Sequence, residues 1–385
     1  MGMENMFTPD TGGFPAPEKE LTEWDVHTFR VITATGLTDE QKRRITNPLN
    51  SHPRQESVLA IHWHPEYVPM PLIETRLNVM FPNRNQELII PTQHNILMMH
   101  NGYAGVEVDC FSKPFNRKVQ LLLHFENSRM AKADTLKSML AHTFRYRSGQ
   151  LFEYLHTITD QRRDDRLQEA AGYTGANKEL ITFVRIYAGK LVRLLEENLN
   201  AMPPEAVKNR LVVDYFEALR AHHDDRLINH ALLFLKAVKT IVKRHFTLEY
   251  FYQTDEIIEE TRGIGGGIVI PHPEQFWPIL LADYDVDGYE VWNPQSNEYT
   301  EFLISVLNRQ NKAKKRNERH LLIFMGDDCH MGEKTKEPAR QDREKASREV
   351  GVQYAWDDIA IGKSLMMANV SRFTVIEEYK ARLAG

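Results

Sequence analysis

Short apolar runs that stop at an ionisable residue constrain this chain most. VLAIHWH, ELIIPTQHN, AGVEVD and VQLLLHF come early, and GIVIPHPE, YEVWNP and LLIFMGDDCH follow after a long gap. Runs of about four to six apolar residues bounded in this way read as strands buried on both faces, as a parallel sheet requires. Strands with both faces covered need helices around them, so the chain belongs to the α/β class, as a barrel or an open sheet with its site on one face. At 385 residues it can bury a full core without staples. Cys110 and Cys329 are the only cysteines, which excludes a disulfide framework and a cysteine-rich zinc module and fits a reducing cytoplasm. No apolar run reaches the roughly 18 residues of a membrane span, and the first residues lack the order of a secretory signal.

The gap between the two groups of runs has a different texture. Leu180, Val184, Tyr187, Leu191, Leu194, Leu195 and Leu199 recur at helical spacing, as do Ile228, Ala231, Leu232, Leu235, Val238 and Val242. Residues 126–262 therefore read as an all-helical insertion or lid, with the glycines at 263 and 265–267 as its hinge back into strand texture. That divides the chain into an N-terminal extension (1–50) carrying one helix near residues 38–45, a first barrel part (51–125), the insertion, and a second barrel part with a helical tail (263–385). The amphipathic insertion also offers a surface for oligomerisation.

The polar residues at the run ends form a chemical set. His62 and His64 are two apart, so on an extended strand both rings point to one side. His94, Glu107, His124, His272, Asp328 and His330 end other runs. Imidazole nitrogens with two carboxylates are donors that suit first-row divalent cations. Asp327 and Asp109 are expected to accept hydrogen bonds from ligand histidines, and Glu290 and Asn293 to orient ligands or substrate. Cys329, between Asp328 and His330, should point away and pack. The sequence HHDD at 222–225 reads as a capping turn before a helix, because adjacent helical residues diverge in direction.

HWH, TQHN, GVEVD, LLLHF, IPHP, GYEVWN and GDDCH, in this order, resemble the successive motifs of the PHP (polymerase and histidinol phosphatase) family. The resemblance covers 58–125 and 268–331 and leaves out the insertion and the first fifty residues. It implies a distorted (β/α)7 TIM-like barrel, two or three divalent ions (Zn, Mn or Fe), and His62, His64, His94, Glu107, His124, His272, Asp328 and His330 as ligands. It also implies hydrolysis of a phosphomonoester or phosphodiester by a metal-bridging hydroxide, with His62, His64, Glu107 and Asp328 at the reacting centre. The chain departs from the family's pattern at Gln93, where an Asp is usual, and at Met70, where a further His is common and Glu66 is the nearby carboxylate.

Arg340 and Arg343, soon after the Asp328 motif, are placed to bind a substrate phosphate, with Asn293 assisting. The net charge of −5 favours a small phosphorylated substrate over a nucleic acid. Two other readings stay open: an amidohydrolase-like enzyme cutting a C–N or ester bond, for which no run end supplies the customary lysine, and a non-catalytic metal-stabilised scaffold whose helical insertion binds a partner.

Overall fold

The structure is a computed structural model that describes residues 18–315 and 318–385. The first 17 residues of the expected extension therefore lie outside the described residues, as does Arg316 of the basic stretch before the last long strand. Among the described residues ten strands form in chain order: β1 (Ser57–Ala60), β2 (Trp63–His64), β3 (Gln86–Ile89), β4 (Met98–His100), β5 (Tyr103–Ser112), β6 (Arg117–Glu126), β7 (Gly267–Ile270), β8 (Gly288–Trp292), β9 (Leu322–Met325) and β10 (Cys329–His330). The apolar runs are thus strands, and β7 and β8 are buried along their whole length, as strands covered on both faces must be.

The expected closed barrel is not what these strands build. Six of them form one mixed sheet in the order β4-β5-β6-β7-β8-β9, and the others make two separate parallel pairs, β1 with β3 and β2 with β10. No closed barrel is found among the described residues. A (β/α) barrel needs a helix after each strand so that the next strand returns parallel. Here β5 runs into β6 through a short turn at Lys113–Phe115, and Asn116 takes the left-handed conformation (φ 49°) that lets the chain reverse at once. The β5–β6 ladder is therefore antiparallel over ten residue pairs, from Tyr103 opposite Glu126 to Ser112 opposite Arg117. β6 also meets β7 antiparallel, and within this sheet the parallel neighbours among the described residues are β7 with β8 and β8 with β9.

The chain divides into two compact units. One comprises residues 35–147 and 247–385 and holds all ten strands. Its C-terminal helix, Arg372–Ala384, places Val375, Ile376, Tyr379 and Leu383 in one buried cluster with Leu59 of β1, the adjacent Ile61, Leu122 of β6, Val269 of β7 and Phe324 of β9. The other unit holds residues 148–246 together with the described residues 18–34. Its core is wholly helical, joining helically spaced positions of Lys178–Asn198 (Val184, Leu191, Leu195) to Ile228, Leu235 and Val242 of Asp225–His245 and to Phe29 of Glu23–Thr33. Asp224 caps the helix that follows HHDD by accepting from the Arg226 N–H, which is the capping turn expected there. No described helix is long and apolar enough to cross a membrane.

Candidate metal centre

Strand pairing brings the histidines together. The two-residue β2–β10 ladder sets His64 directly opposite His330, and the Asp328 N–H donates to the His62 carbonyl at 2.8 Å. A parallel bridge sets His94 opposite Glu107. Two groups of donor atoms result, each with all its atoms within 4.8 Å of one another: His62, His64 and Glu107, and His64, His94 and His330. His64 belongs to both. Asp328 and His272 border them: Asp328 Oδ1 lies 3.7, 3.5 and 3.4 Å from ring nitrogens of His62, His64 and His330, and His272 Nε2 lies 3.9 Å from Glu107 Oε1.

These groups fit a divalent cation better than they fit one another. His64 and Glu107 are 0% and 1% exposed, yet neither ring nitrogen of His64 and neither carboxylate oxygen of Glu107 has a hydrogen-bond partner. His94 Nδ1, 2.5 Å from Glu107 Oε2, also lacks a bond of proper geometry. Buried polar atoms without partners cost about 1–3 kcal/mol each, more when charged, so several of them converging mark a place where another group supplies the bonds. Electrostatics agrees. Burial would raise the Glu107 carboxyl, but His94, His272 and His64 hold it well below the usual carboxylate range. His330 and His64 do the same for Asp328, again against burial. Burial, with His94 and His330 beside it, brings His64 down to about 3, so its ring is neutral and its lone pair available. For His62 burial is overridden by Glu290, which pushes it up to about 10. A ring nitrogen facing that many carboxylates holds a proton or a metal, and the two exchange.

The ligands are held from behind. His62 Nδ1 donates to Glu290 Oε1 at 2.7 Å, leaving Nε2 toward Asp328. The other Glu290 oxygen accepts the His272 N–H at 2.9 Å and the Asn293 amide at 3.2 Å. Gly326 is required under this carboxylate, since a Cβ there would fall 1.5 Å from Glu290 Oε1. Asp109 accepts from Lys118 and Arg147 and exchanges two 2.9 Å hydrogen bonds with Asn95, the residue after His94, fixing its left-handed turn (φ 55°). Glu66, His272 and Asp328 also have positive φ (53°, 29° and 43°), a conformation that non-glycine residues keep only where the surroundings enforce it.

Several expected site residues sit elsewhere. His124 is completely buried, but its Nε2–H donates to the Ile61 carbonyl at 3.0 Å and its Nδ1 accepts from the Tyr379 hydroxyl at 2.7 Å, so no lone pair remains for a metal. The cause is strand direction. β6 runs against β7, so His124 pairs with Gly267 at the start of β7, whereas His272 follows that strand's other end. Asp327 turns to the Gly351 N–H (2.7 Å) and the Gln353 amide (3.3 Å) rather than to a ligand histidine. Asn293 is buried and engaged with Glu290 and the Gln295 N–H, which makes it a support for His62 rather than a substrate contact. Arg343 is exposed at the start of a short helix, Arg343–Ser347, and the side chain of Arg340 lies outside the described residues. Cys329 packs with its sulfur 3.3 Å from the Arg348 carbonyl.

Arg348, Gln295 and Tyr379 bond the expected ligands Asp328 and His124, and no apolar run end or motif marks them. Arg348 is 5% exposed and donates to Asp328 Oδ2 at 2.7 Å, and Gln295 donates to the same oxygen. No local pattern marks Arg348 as inward-facing: it follows a short helix and precedes a turn at Val350–Gly351, where Gly351 and Gln353 are buried as well as Val350 and Val352.

No family model matches this chain, and no curated protein matches it. Among solved structures, the chain is similar to a protein from Bifidobacterium adolescentis described as "a putative metal-dependent phosphoesterase", at 14% identity and a TM-score of 0.37, over 84% of this chain and 98% of that one. A likeness of that degree carries no argument about what this chain does. The metal reading rests on the donor atoms themselves: His62, His64, His94, His330 and Glu107 form groups able to hold metal ions.

Proposed function

We propose that this chain is a metal-dependent hydrolase of phosphoric esters, acting on a small phosphomonoester or phosphodiester. The observation that carries the metal is the buried convergence of His64 and Glu107 with their nitrogen and oxygen atoms unpaired among further imidazoles. The order of the motifs around these residues, which resembles that of a phosphoesterase family, supports the choice of bond. The net charge of −5 supports a small substrate over a nucleic acid.

His62 and Glu107 would hold one cation and His94 and His330 a second, with His64, common to both groups, serving one of the two and Asp328 bordering both. Divalent cations bound there supply Lewis acidity, which polarises phosphoryl oxygens and makes water acidic enough to act near neutral pH. The chain's own residues do the rest. Glu290 keeps the His62 tautomer with Nε2 free, and the Asp109–Asn95 pair fixes the turn that presents His94. Burial of His62, His64, Glu107 and Asp328 keeps bulk water from that side of the group and strengthens the charge interactions there, while His94 and His330 stay partly open.

The test is elemental analysis of purified protein together with assays on phosphomonoesters, phosphodiesters, carboxylic esters and amides, for wild type and His64→Ala. The expected result is bound divalent metal and phosphoester turnover in the wild type, with both lost in the variant. A wild type that binds no divalent metal, or that cuts amides and leaves every phosphoester intact, would overturn the proposal.

A further inference from the structure

The two oxygens of Asp328 have different surroundings. Oδ1 faces the ring nitrogens of His62, His64 and His330 at 3.4–3.7 Å. Oδ2 is taken by two donors: Arg348 Nη1 at 2.7 Å and the Gln295 amide. Arg348 also donates to the Asp328 carbonyl at 3.3 Å, so one guanidinium grips both the backbone and the side chain of a residue held at φ 43°. The guanidinium is itself anchored, through a 3.2 Å contact from Nη2 to Glu344. A buried arginine is costly unless something fixes it, and here its fixed partner is a carboxylate at the edge of the metal centre.

We infer that Arg348, assisted by Gln295, is a positioning residue that makes Asp328 a one-oxygen ligand. By occupying Oδ2 it prevents the carboxylate from rotating to offer both oxygens to a cation, and it aims Oδ1 at the point between His62, His64 and His330. This inference rests on the metal reading above, and it adds a residue that neither touches the metal nor shares a motif with the ligands.

The test is calorimetric titration of Zn²⁺ or Mn²⁺ into chelator-stripped full-length protein, for wild type, Arg348→Met, Arg348→Lys, Asp328→Asn and the double variant Asp328→Asn with Arg348→Met. Thermal unfolding of the stripped proteins establishes that each is folded. Loss of such a support behind a ligand weakens metal binding about 10–100-fold, and that weakening is expected for Arg348→Met. Arg348→Lys, which keeps one donor for Oδ2, should recover most of the affinity. In the Asp328→Asn background the Met substitution should add nothing, because the effect runs through Asp328; a purely structural role would weaken binding in both backgrounds and overturns the inference. Wild type that binds metal while Arg348→Met binds it equally well also overturns it and leaves the metal reading standing. Wild type that binds no metal overturns both. If Arg348→Met does not fold, Gln295→Leu decides: full affinity overturns the inference, and a loss that vanishes in the Asp328→Asn background supports it.

Discussion

At the scale of single residues, histidine spacing carried the site. The His-x-His and Asp-x-His spacings found the right residues for a reason strand alternation does not supply: only His64 and His330 lie on strands, opposite each other, while His62 sits in a bend before β2 and Asp328 is left-handed (φ 43°). His124 looked the same in sequence and differs because its fate depends on the direction of its strand, which a run of apolar residues does not encode. Tyr379→Phe probes it: the substitution leaves His124 Nδ1 buried without its donor, so we expect a loss of about 1–2 kcal/mol in urea unfolding and an unchanged metal content. Glu290→Gln should act in the opposite way, with little loss of fold but roughly 10–100-fold weaker metal binding, because His62 loses its carboxylate partner; parallel titration calorimetry and unfolding check both halves. Gly326→Ala should do more damage than either, since its methyl would overlap the Glu290 carboxylate. Overpacking of that kind costs about 1–3 kcal/mol, with metal affinity falling alongside in the same assays.

At the scale of elements, the strands were readable from their apolar runs and their pairing was not. The runs of β5 and β6 predict buried strands, but only the turn at Lys113–Asn116 decides that they form a hairpin, and a single left-handed asparagine is a weak signal in a sequence. Helix Asp39–Thr46 was legible through its cap, Thr38, which accepts from the Gln41 N–H while the Gln41 side chain accepts the Thr38 N–H. Helix Glu23–Thr33 has an equivalent box, Thr22 with Asp25, and was overlooked among the prolines and glycines of the first fifty residues. Asp25 has a second task there. It is buried and accepts from Lys190 at 2.8 Å and Tyr215 at 2.6 Å, so a capping carboxylate doubles as the anion of a buried ion pair.

At the scale of the whole molecule, that pair makes stability depend on pH. Burial would raise the Asp25 carboxyl, but Lys190, Tyr215 and Thr22 together hold it below its ordinary value. The folded state therefore takes up its proton less readily than the unfolded chain. Its contribution is complete above the unfolded value of about 4 and is lost as the pH falls through the lower folded value. The urea midpoint of the wild type should accordingly drop between about pH 5 and acid conditions more steeply than that of Asp25→Asn. Asp25→Ala at neutral pH leaves Lys190 buried without its counter-charge and should cost about 3–5 kcal/mol, read from the same urea curves.

The two compact units are each assembled from separated stretches of chain, and this has a consequence in time. Helix Glu23–Thr33 leaves the ribosome long before Lys190 and Tyr215, the partners that hold Asp25, and β6 long before β7, the strand it pairs with. At about 5–20 residues per second of synthesis, the early helix waits on the order of ten seconds or more for its core, with its apolar face uncovered. Helix Glu23–Thr33 and strand β6 thus both wait for partners made much later, and slowing synthesis lengthens that exposure.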